Sequence, residues 1–325
     1  MNNLTFVFSA DDNYIVPTYI AAHSLIYNAA RDKKYDIYIL APGDISDSNK
    51  AIIHTIEKDF DNVKIHFENM GDAFATSNLV IKHTTVPSMY RLLLPSILKD
   101  CDKCIYIDGD ILVKGNLSPL FERDMDGYYV GAIKDIEAEQ YISRFDYTSE
   151  KPDSKDYVNS GFLLMNLELM RRDKVEERFL DLSDKRFLFG DQDILNIVCK
   201  GKILFLELKY NTLVKYRFVN YKQKSYSKFI TDHFTLDEIL EAIEHPVMLH
   251  YAQPVKPWQC RYVYKADEWY KYIKKQIPKD IYTGYILPYI RSHMVSGKEK
   301  NKMLLHWLLY KIGVLQLILN MQHKL

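Results

Sequence analysis

Short apolar segments separated by helical patterns dominate the first third of this 325-residue chain. Residues 4–9 and 35–40 have the β-rich composition of strands, and a third apolar segment ends at Ile107 and runs directly into Asp108. Residues 17–29 between them follow a helical period. Strands that alternate with helices predict a parallel sheet covered by helices on both faces. Such a sheet binds ligands beyond the carboxyl ends of its strands, near a switch in strand order.

The rest of the chain continues this α/β pattern less regularly. Further helices are predicted over residues 46–60 (with Ser46 as N-cap), 89–98, 173–183 and 191–199, and further strands over residues 63–67, 128–133, 161–166, 203–208 and 247–251. Hydrophobic residues make up 47% of the chain, which excludes a disordered or cysteine-stapled protein. Lys and Arg together number 43, as do Asp and Glu, so no basic excess points to a nucleic-acid partner.

Asp108, Gly109 and Asp110 follow an apolar strand and precede another apolar segment. In an extended segment, side chains two residues apart face the same side, so both carboxylates would point at one place. Two buried like charges are costly unless a cation lies between them, and Mn²⁺ or Mg²⁺ prefers oxygen ligands. The alternative interpretation is a tight turn that only joins two strands.

A second motif begins with His250 at the end of an apolar strand and continues to Lys256, which lies between Pro254 and Pro257. An imidazole can complete a metal site, and an ammonium group can neutralise phosphate oxygens. The flanking prolines restrict the loop and so fix where Lys256 points. The alternative is a histidine with a purely structural role at the end of the strand.

Three further motifs offer polar groups near strand or helix ends. The turn that contains Ala10, Asp11, Asn13 and Tyr14 follows the first strand, the usual place for a nucleotide to bind. Asn159 precedes an apolar strand, and Asp191 and Gln192 begin a predicted helix. They can line a sugar site, or they can simply form a turn and cap a helix. The chain has neither a G-x-G-x-x-G nor a P-loop motif, which argues against dinucleotide cofactors and P-loop chemistry.

Together these five motifs resemble glycosyltransferase family 8, which includes bacterial lipopolysaccharide galactosyl- and glucosyltransferases. The Ser-Ala-Asp-Asp-Asn-Tyr turn, Asp-Gly-Asp, Asn-Ser-Gly, Asp-Gln-Asp-Ile-Leu-Asn and His-x₅-Lys-Pro-Trp appear in the family's order across residues 4–258. The resemblance implies a Rossmann-like, GT-A type mixed sheet flanked by helices. It also implies a retaining, Mn²⁺-dependent hexosyltransferase that uses UDP-galactose or UDP-glucose and a saccharide acceptor. Mg²⁺ is a possible substitute metal.

The resemblance also implies a role for each motif residue. The implied metal ligands are Asp108, Asp110 and His250. The implied donor-binding residues are Ala10, Asp11, Asn13, Tyr14, Arg91, Asp108, Gly109 and Lys256. Asp11 would meet the uracil, Asn13 the ribose and Tyr14 the face of the base. The implied catalytic residues beside the transferred sugar are Asn159, Asp191 and Gln192. Gln253 departs from the family, which often has glycine at this point.

Two routes to retention stay open at this stage. Asp191 or Gln192 could attack the sugar and form a covalent intermediate, as in retaining hydrolases. Alternatively, the acceptor attacks the face from which UDP leaves. Two other functions also stay open: a nucleotidyltransferase, and a sugar-nucleotide-binding protein without transfer activity.

The end of the chain differs from the body in charge and pattern. Residues 291–325 contain six Lys or Arg residues and one Glu, and residues 302–320 predict an amphipathic helix. We expect a catalytic domain over residues 1–265 and a helical extension over residues 266–325 that lies on an anionic membrane surface. The alternative is a helix that packs on the body or on another subunit. The absence of a signal-peptide pattern predicts a cytoplasmic protein, peripheral at the inner face of the membrane.

Overall fold

A seven-stranded mixed sheet forms the centre of the molecule in the computed structural model, which describes residues 3–43, 45–75, 85–135, 138–148, 150–214 and 234–312. In chain order the strands are β1 (Leu4–Ser9), β2 (Tyr35–Ala41), β3 (Val63–Asn69), β4 (Lys103–Ile107), β5 (Ile111–Val113), β6 (Val130–Ala132), β7 (Phe162–Asn166), β8 (Ile203–Phe205), β9 (Thr212–Leu213) and β10 (Met248–His250). The large sheet has the order β3-β2-β1-β4-β7-β6-β8, and β5-β10-β9 form a smaller sheet.

The first four strands of the large sheet run parallel, as the sequence predicts. β1 is apolar along most of its length because both of its faces are buried. The chain passes from β1 outward to β2 and β3 and then returns to β4 on the other side of β1, so Val7 pairs with both Tyr38 and Tyr106. The strand order therefore switches between β1 and β4, and the segments that follow these two strands emerge side by side.

Antiparallel strand pairing brings further residues to the edge of the sheet where β1 and β4 end. β7 runs antiparallel to β4, and the backbone N–H of Asp108 donates to the carbonyl of Gly161 at 2.8 Å. In the smaller sheet, β10 pairs antiparallel with β5 and parallel with β9, so His250 lies beside Ile111 and Leu213. The start of β7 and the end of β10 thus meet the segment that follows β4.

Helices cover the sheets. In chain order they are α1 (Ile15–Tyr27), α2 (Asp47–His54), α3 (Ile56–Asp59), α4 (Val86–Met89), α5 (Leu94–Ile97), α6 (Ala138–Ile142), α7 (Leu167–Arg172), α8 (Val175–Ser183), α9 (Asp191–Val198), α10 (Leu236–Glu244), α11 (Ala266–Lys275), α12 (Lys279–Ile281), α13 (Leu287–His293) and α14 (Gly297–Lys311). Short 3₁₀ helices span Tyr90–Leu93, Ser118–Glu122 and Leu208–Asn211, and a π-helical turn spans Tyr282–Ile286.

Two predicted helices are broken. The helix predicted over residues 46–60 divides at Thr55, whose hydroxyl donates to the carbonyl of Ile52 at 2.6 Å and competes with the helical pattern. Ser46 precedes α2 as predicted, but its hydroxyl donates to Asp12 rather than capping the helix. The helix predicted over residues 89–98 contains a 3₁₀ segment, since Pro95 has no N–H to continue the α-helical ladder.

The chain beyond residue 265 packs on the body through α11 and α13. Trp269, Ile273 and Ile290 belong to the same buried cluster as Phe6 on β1. The hydroxyl of Tyr272 lies 2.6 Å from Nδ1 of His23 on α1. Apolar side chains from both sides of residue 265 therefore share one core, and the division into two domains stays a prediction.

Helix α14 covers the first part of the predicted amphipathic helix, and residues 313–325 lie outside the described residues. Met303 is buried, and the ring of Trp307 lies 5.7 Å from that of Tyr262. Leu305, Leu308 and Ile312 are 54%, 46% and 58% exposed. Within the described ranges, no helix is both long and apolar enough to cross a bilayer.

Candidate active site

A cavity of about 490 Å³ opens where β1 and β4 end. All of the predicted site residues line it: Ala10, Asp11, Asn13, Tyr14, Arg91, Asp108, Gly109, Asp110, Asn159, Asp191, Gln192, His250 and Lys256. Motifs that are far apart in sequence therefore meet at one place, while their individual roles stay predictions. Gln253 does not line the cavity, although its neighbours Ala252 and Pro254 do.

Asp108, Asp110 and His250 form a candidate metal site. One ligand atom from each lies within 4.8 Å of the others. Nε2 of His250 is 3.1 Å from Oδ1 of Asp110 and 3.9 Å from Oδ2 of Asp108. Oδ1 of Asp110 is buried without a hydrogen-bond partner, an arrangement that a cation would satisfy. Two carboxylates and an imidazole suit Mn²⁺, or Mg²⁺ with a less preferred nitrogen ligand.

The Asp-Gly-Asp motif forms a turn that brings its two carboxylates close together. Residues 108–110 leave the extended conformation after β4, so the carboxylates converge through a turn rather than along a strand. A side chain on Gly109 would collide with Thr18 of α1 and press on Tyr14 at 3.2 Å. A side chain on Gly161 would overlap the ring of His250 and approach Oδ2 of Asp108 at 2.6 Å. Gly109 therefore lets α1 pack closely against the turn, and Gly161 keeps the space beside His250 and Asp108 open.

Lys256 places a positive charge beside this site. Its ammonium group lies 2.5 Å from Oδ2 of Asp110 and also donates to the carbonyl of Tyr251 at 2.9 Å. Burial alone would raise the pKa of Asp110, but the adjacent charge of Lys256 holds it well below the usual value. Asp110 is therefore a carboxylate at neutral pH.

Arg91 forms ion pairs with two of the carboxylates at the site. Its guanidinium group contacts Asp108 at 2.9 Å and Asp191 at 3.1 Å, and it lies 4.1 Å from the ring centre of Tyr106. Burial alone would lower the pKa of Arg91, but Asp108 and Asp191 raise it above the usual value. Arg91 is thus a permanent cation that fixes the position of both carboxylates.

Gln192 and Asn159 form a connected amide pair at the far side of the cavity. Oε1 of Gln192 accepts from the backbone N–H of Ser160 at 2.9 Å and from Nδ2 of Asn159 at 3.1 Å. Both amide nitrogens donate to Oδ2 of Asp135 at 3.2 Å. Asn159 also forms the predicted turn, because its Oδ1 accepts from the backbone N–H of Gly161.

Asp191 is the first residue of α9, and Gly190 is the N-cap residue. The carboxylate of Asp191 does not cap its own helix but accepts from the hydroxyl of Ser160 at 2.9 Å. Burial raises the pKa of Asp191, and the charge of Arg91 opposes that shift. These contacts hold the side chain at the wall of the cavity.

The turn after β1 forms the opposite wall. Oδ1 of Asp11 accepts from the backbone N–H of Tyr14 at 2.9 Å, and the ring of Tyr14 meets the edge of Trp258. The carbonyl of Asn13 accepts from the hydroxyl of Tyr289 at 2.8 Å. Tyr289 and His293 of α13 line the same cavity, which the motifs did not predict.

Sequence reasoning also missed Asn211, Asp135 and Ser160. Asn211 contacts the ring of His250 at 2.9 Å, and the other two bind the side chains of Asn159, Asp191 or Gln192. Ser160 is the middle residue of the Asn-Ser-Gly motif, so its position beside Asn159 already indicated that it lies at the site. Asn211 and Asp135 have no such signal, because pairing between distant segments brings them to the site.

A mixed sheet with a polar turn and an acidic pair at its switch point, opposite a histidine and a lysine, defines a GT-A type glycosyltransferase. The sequence model of glycosyl transferase family 8 matches residues 5–261. The chain belongs to this family, and the predicted GT-A type mixed sheet is confirmed.

Two curated relatives are lipopolysaccharide hexosyltransferases. The lipopolysaccharide 1,2-glucosyltransferase of Escherichia coli K12 is 28% identical over 184 residues, which are 54% of this chain and 50% of the relative. The lipopolysaccharide 1,3-galactosyltransferase of Salmonella typhimurium is 24% identical over 243 residues, 70% of this chain and 68% of the relative. The chain thus spans about half the length of the Escherichia coli relative that it matches.

Solved structures of the galactosyltransferase LgtC share the fold. An active-site mutant of LgtC superposes with a TM-score of 0.69 at 27% identity, covering 86% of this chain and 99% of LgtC. LgtC in complex with donor and acceptor sugar analogues superposes with a TM-score of 0.64 at 26% identity, covering 92% and 100%.

Proposed function

We propose that this protein transfers galactose or glucose from a UDP-sugar to a hydroxyl group of a saccharide acceptor, with Mn²⁺ and with retention at the sugar. The observation that carries the proposal is the convergence of Asp108, Asp110 and His250 beside Lys256 in the cavity. Relatives named for glucosyl and galactosyl transfer to lipopolysaccharide support a hexose donor and a cell-surface glycan acceptor.

The diphosphate of the donor would lie beside the acidic pair, within reach of Lys256. Mn²⁺, when bound by Asp108, Asp110 and His250, supplies positive charge where the leaving diphosphate gains negative charge. Lys256 adds a second positive charge at the same oxygens, and the buried position of Asp110 strengthens these electrostatic effects. Arg91 keeps Asp108 oriented towards the metal position through its contact at 2.9 Å.

The nucleoside would occupy the wall formed by the turn after β1. Ala10, Asp11, Asn13 and Tyr14 line this wall, and Tyr14 offers an aromatic ring to the uracil. The transferred sugar would then lie towards Asn159, Asp191 and Gln192, whose oxygens and amide groups match sugar hydroxyls in hydrogen-bonding capacity. Gly109 lines the cavity between the two regions, so its backbone would lie near the diphosphate.

The contacts of Asp191 and Gln192 favour front-side attack over a covalent intermediate. Oε1 of Gln192 accepts hydrogen bonds from the backbone N–H of Ser160 and from Nδ2 of Asn159, and the hydroxyl of Ser160 lies 3.4 Å away. Oδ2 of Asp191 accepts from Ser160 and faces Arg91 at 3.1 Å. Oxygens that are engaged in this way are poor nucleophiles, so the acceptor hydroxyl attacks the face that UDP leaves, and a phosphate oxygen takes its proton.

UDP release tests the proposal directly. The protein is incubated with UDP-galactose or UDP-glucose and a saccharide acceptor, with Mn²⁺, with Mg²⁺ or with a chelator. We expect metal-dependent UDP release with one hexose preferred. Donor binding without release would favour the sugar-nucleotide-binding alternative. Pyrophosphate formation from UTP and a hexose phosphate would favour the nucleotidyltransferase alternative.

The acceptor would be presented at the cytoplasmic face of the membrane, with α14 resting on an anionic bilayer. The exposed Leu305, Leu308 and Ile312 recur at helical spacing, and Lys298, Lys302 and Lys311 are exposed on the same helix. An apolar strip bordered by cations suits the surface of an anionic bilayer.

Vesicle flotation tests this placement. We expect the full chain to float with phosphatidylglycerol vesicles and not with neutral phosphatidylcholine vesicles. A variant with Leu305→Ser, Leu308→Ser and Ile312→Ser should stay at the bottom, while Leu180→Ser, at an exposed leucine on α8, serves as the control. Equal flotation of the triple variant and the wild type would contradict membrane docking through α14.

A further inference from the structure

Asn211 lies against the ring of His250, outside every motif that the sequence displays. It ends the 3₁₀ helix Leu208–Asn211, and its side chain is fully buried. The next two residues form β9, which pairs with β10 and thereby brings Asn211 to His250. Its Oδ1 is 2.9 Å from Nδ1 of His250, and its Nδ2 is 2.9 Å from Oδ1 of Asn159.

The orientation of Asn159 follows from two neighbours that each have a single hydrogen-bonding role. The backbone N–H of Gly161 can only donate, and it lies 3.1 Å from Oδ1 of Asn159. The carboxylate of Asp135 accepts from Nδ2 of Asn159 at 3.2 Å. Oδ1 of Asn159 therefore faces Asn211 and accepts a hydrogen bond from Nδ2 of Asn211.

The orientation of Asn211 in turn fixes the proton of the imidazole. Since Nδ2 of Asn211 faces Asn159, its Oδ1 faces His250, and an amide oxygen can only accept. Nδ1 of His250 must then carry the hydrogen. In the neutral ring Nε2 keeps its lone pair, and this atom lies 3.1 Å from Asp110 and 3.9 Å from Asp108. A neutral imidazole binds a metal through the nitrogen that has no hydrogen.

We propose that Asn211 is a positioning residue that selects the metal-binding tautomer of His250 and ties this ring to Asn159 in the pocket for the transferred sugar. The inference rests on the metal role proposed for His250. It extends that role along one line of hydrogen bonds, from the imidazole through Asn211 to Asn159 and Gln192.

The tautomer can be read without metal, donor or activity. The protein is labelled with ¹⁵N at its histidines, and the signal of His250 is identified by its loss in His250→Gln. We expect ring shifts that show a hydrogen on Nδ1. A ring whose only hydrogen is on Nε2 would overturn the proposal. A protein that lacks transferase activity but has the Nδ1–H ring would contradict the proposed function and leave the positioning role intact.

Two substitutions separate positioning from simple stability. Asn211→Leu removes both contacts, and we expect Mn²⁺ affinity, measured by calorimetry, to fall about 10–100-fold, the usual effect of losing an outer-shell partner. Asn166→Ala is the control, because Asn166 caps α7 by accepting from Leu169 and does not line the cavity. The proposal is wrong if Asn211→Leu binds Mn²⁺ within twofold of the wild type, or if Asn166→Ala weakens binding equally.

Asn211→Asp keeps the proposal testable if the leucine variant does not fold. An aspartate still accepts from Nδ1 of His250, but its second oxygen opposes Oδ1 of Asn159. We expect the Nδ1–H tautomer and Mn²⁺ affinity at least equal to that of the wild type, with UDP-hexose affinity lowered relative to UDP. A ring that moves its hydrogen to Nε2 in this variant would overturn the proposal.

Discussion

Oδ1 of Asp110 and Nε2 of His250 face each other at 3.1 Å in a buried space, although Oδ1 accepts no hydrogen bond. Two lone pairs at this distance repel, and a proton or a metal cation between them removes the repulsion. Lys256 compensates part of the negative charge of Asp110 through its contact with Oδ2, the other carboxylate oxygen. The protein thus holds together a set of groups whose geometry is favourable only with positive charge nearby.

Asp110→Asn tests this set of groups. An amide keeps the shape of the side chain but loses the charge, so we expect UDP release and Mn²⁺ affinity each to fall by about 100-fold or more. Circular dichroism should show that the variant still folds. Near-normal, Mn²⁺-dependent turnover in this variant would show that Asp110 is not a metal ligand.

Gly161→Ala tests the space beside the metal position. The new methyl group would overlap the ring of His250 and approach Asp108 at 2.6 Å. We expect Mn²⁺ affinity to fall at least about 10-fold, since a displaced ligand weakens a metal site. Gly284→Ala is the matched control, because its methyl group would meet no atom within 4 Å. Unchanged Mn²⁺ binding in Gly161→Ala would mean that the ligands can move apart without cost.

Tyr289→Phe tests the wall that α13 adds to the cavity. It removes the hydroxyl that donates to the carbonyl of Asn13 at 2.8 Å. The loss of one neutral hydrogen bond should weaken UDP binding by about 2–10-fold. Tyr272→Phe is the comparison, since that hydroxyl contacts His23 and does not line the cavity. If both variants bind UDP like the wild type, Tyr289 does not support the nucleotide turn.

His23 gives the fold a dependence on pH that is separate from the active site. Burial lowers the pKa of His23 from 6.5 to about 4, so the ring is neutral in the folded protein, although Asp59 lies 3.9 Å away. The unfolded chain binds a proton near the ordinary pKa. The stabilising contribution is therefore complete above about pH 6.5 and is lost as the pH falls towards 4.

Urea unfolding measures this effect. Between pH 7.5 and pH 5.0, we expect His23 to contribute a loss of about 2 kcal/mol in the free energy of unfolding. Glutamine does not titrate. The free energy of unfolding of His23→Gln should therefore fall by about 2 kcal/mol less than that of the wild type between pH 7.5 and pH 5.0. Identical pH dependence in the two proteins would mean that His23 is protonated in the fold or accessible to water.

The sequence predicts those parts of the site that lie directly beyond a recognisable strand or helix. Asp108 follows β4, His250 ends β10 and Asp191 begins α9, so local pattern and position in the sheet were enough to bring them together. The parallel order of the first four strands was predictable for the same reason, because their apolar segments alternate with helical ones.

Asn211 and Tyr289 were not predictable in this way. Asn211 precedes β9, a two-residue strand that is too short to show any alternation. Tyr289 lies 276 residues from its partner Asn13, and only the packing of α13 brings them together. The breaks in the helices at Thr55 and Pro95 likewise depend on side-chain competition and a missing N–H, which a hydrophobic period does not record.

The bond between Tyr289 and Asn13 has a practical consequence for exchanging parts between related enzymes. A chimaera joined near residue 265 would combine the nucleotide turn of one parent with the α13 wall of another, although the two form a single surface. Swaps that aim to alter base preference should carry residues 10–14 and 287–293 together, as one inherited unit.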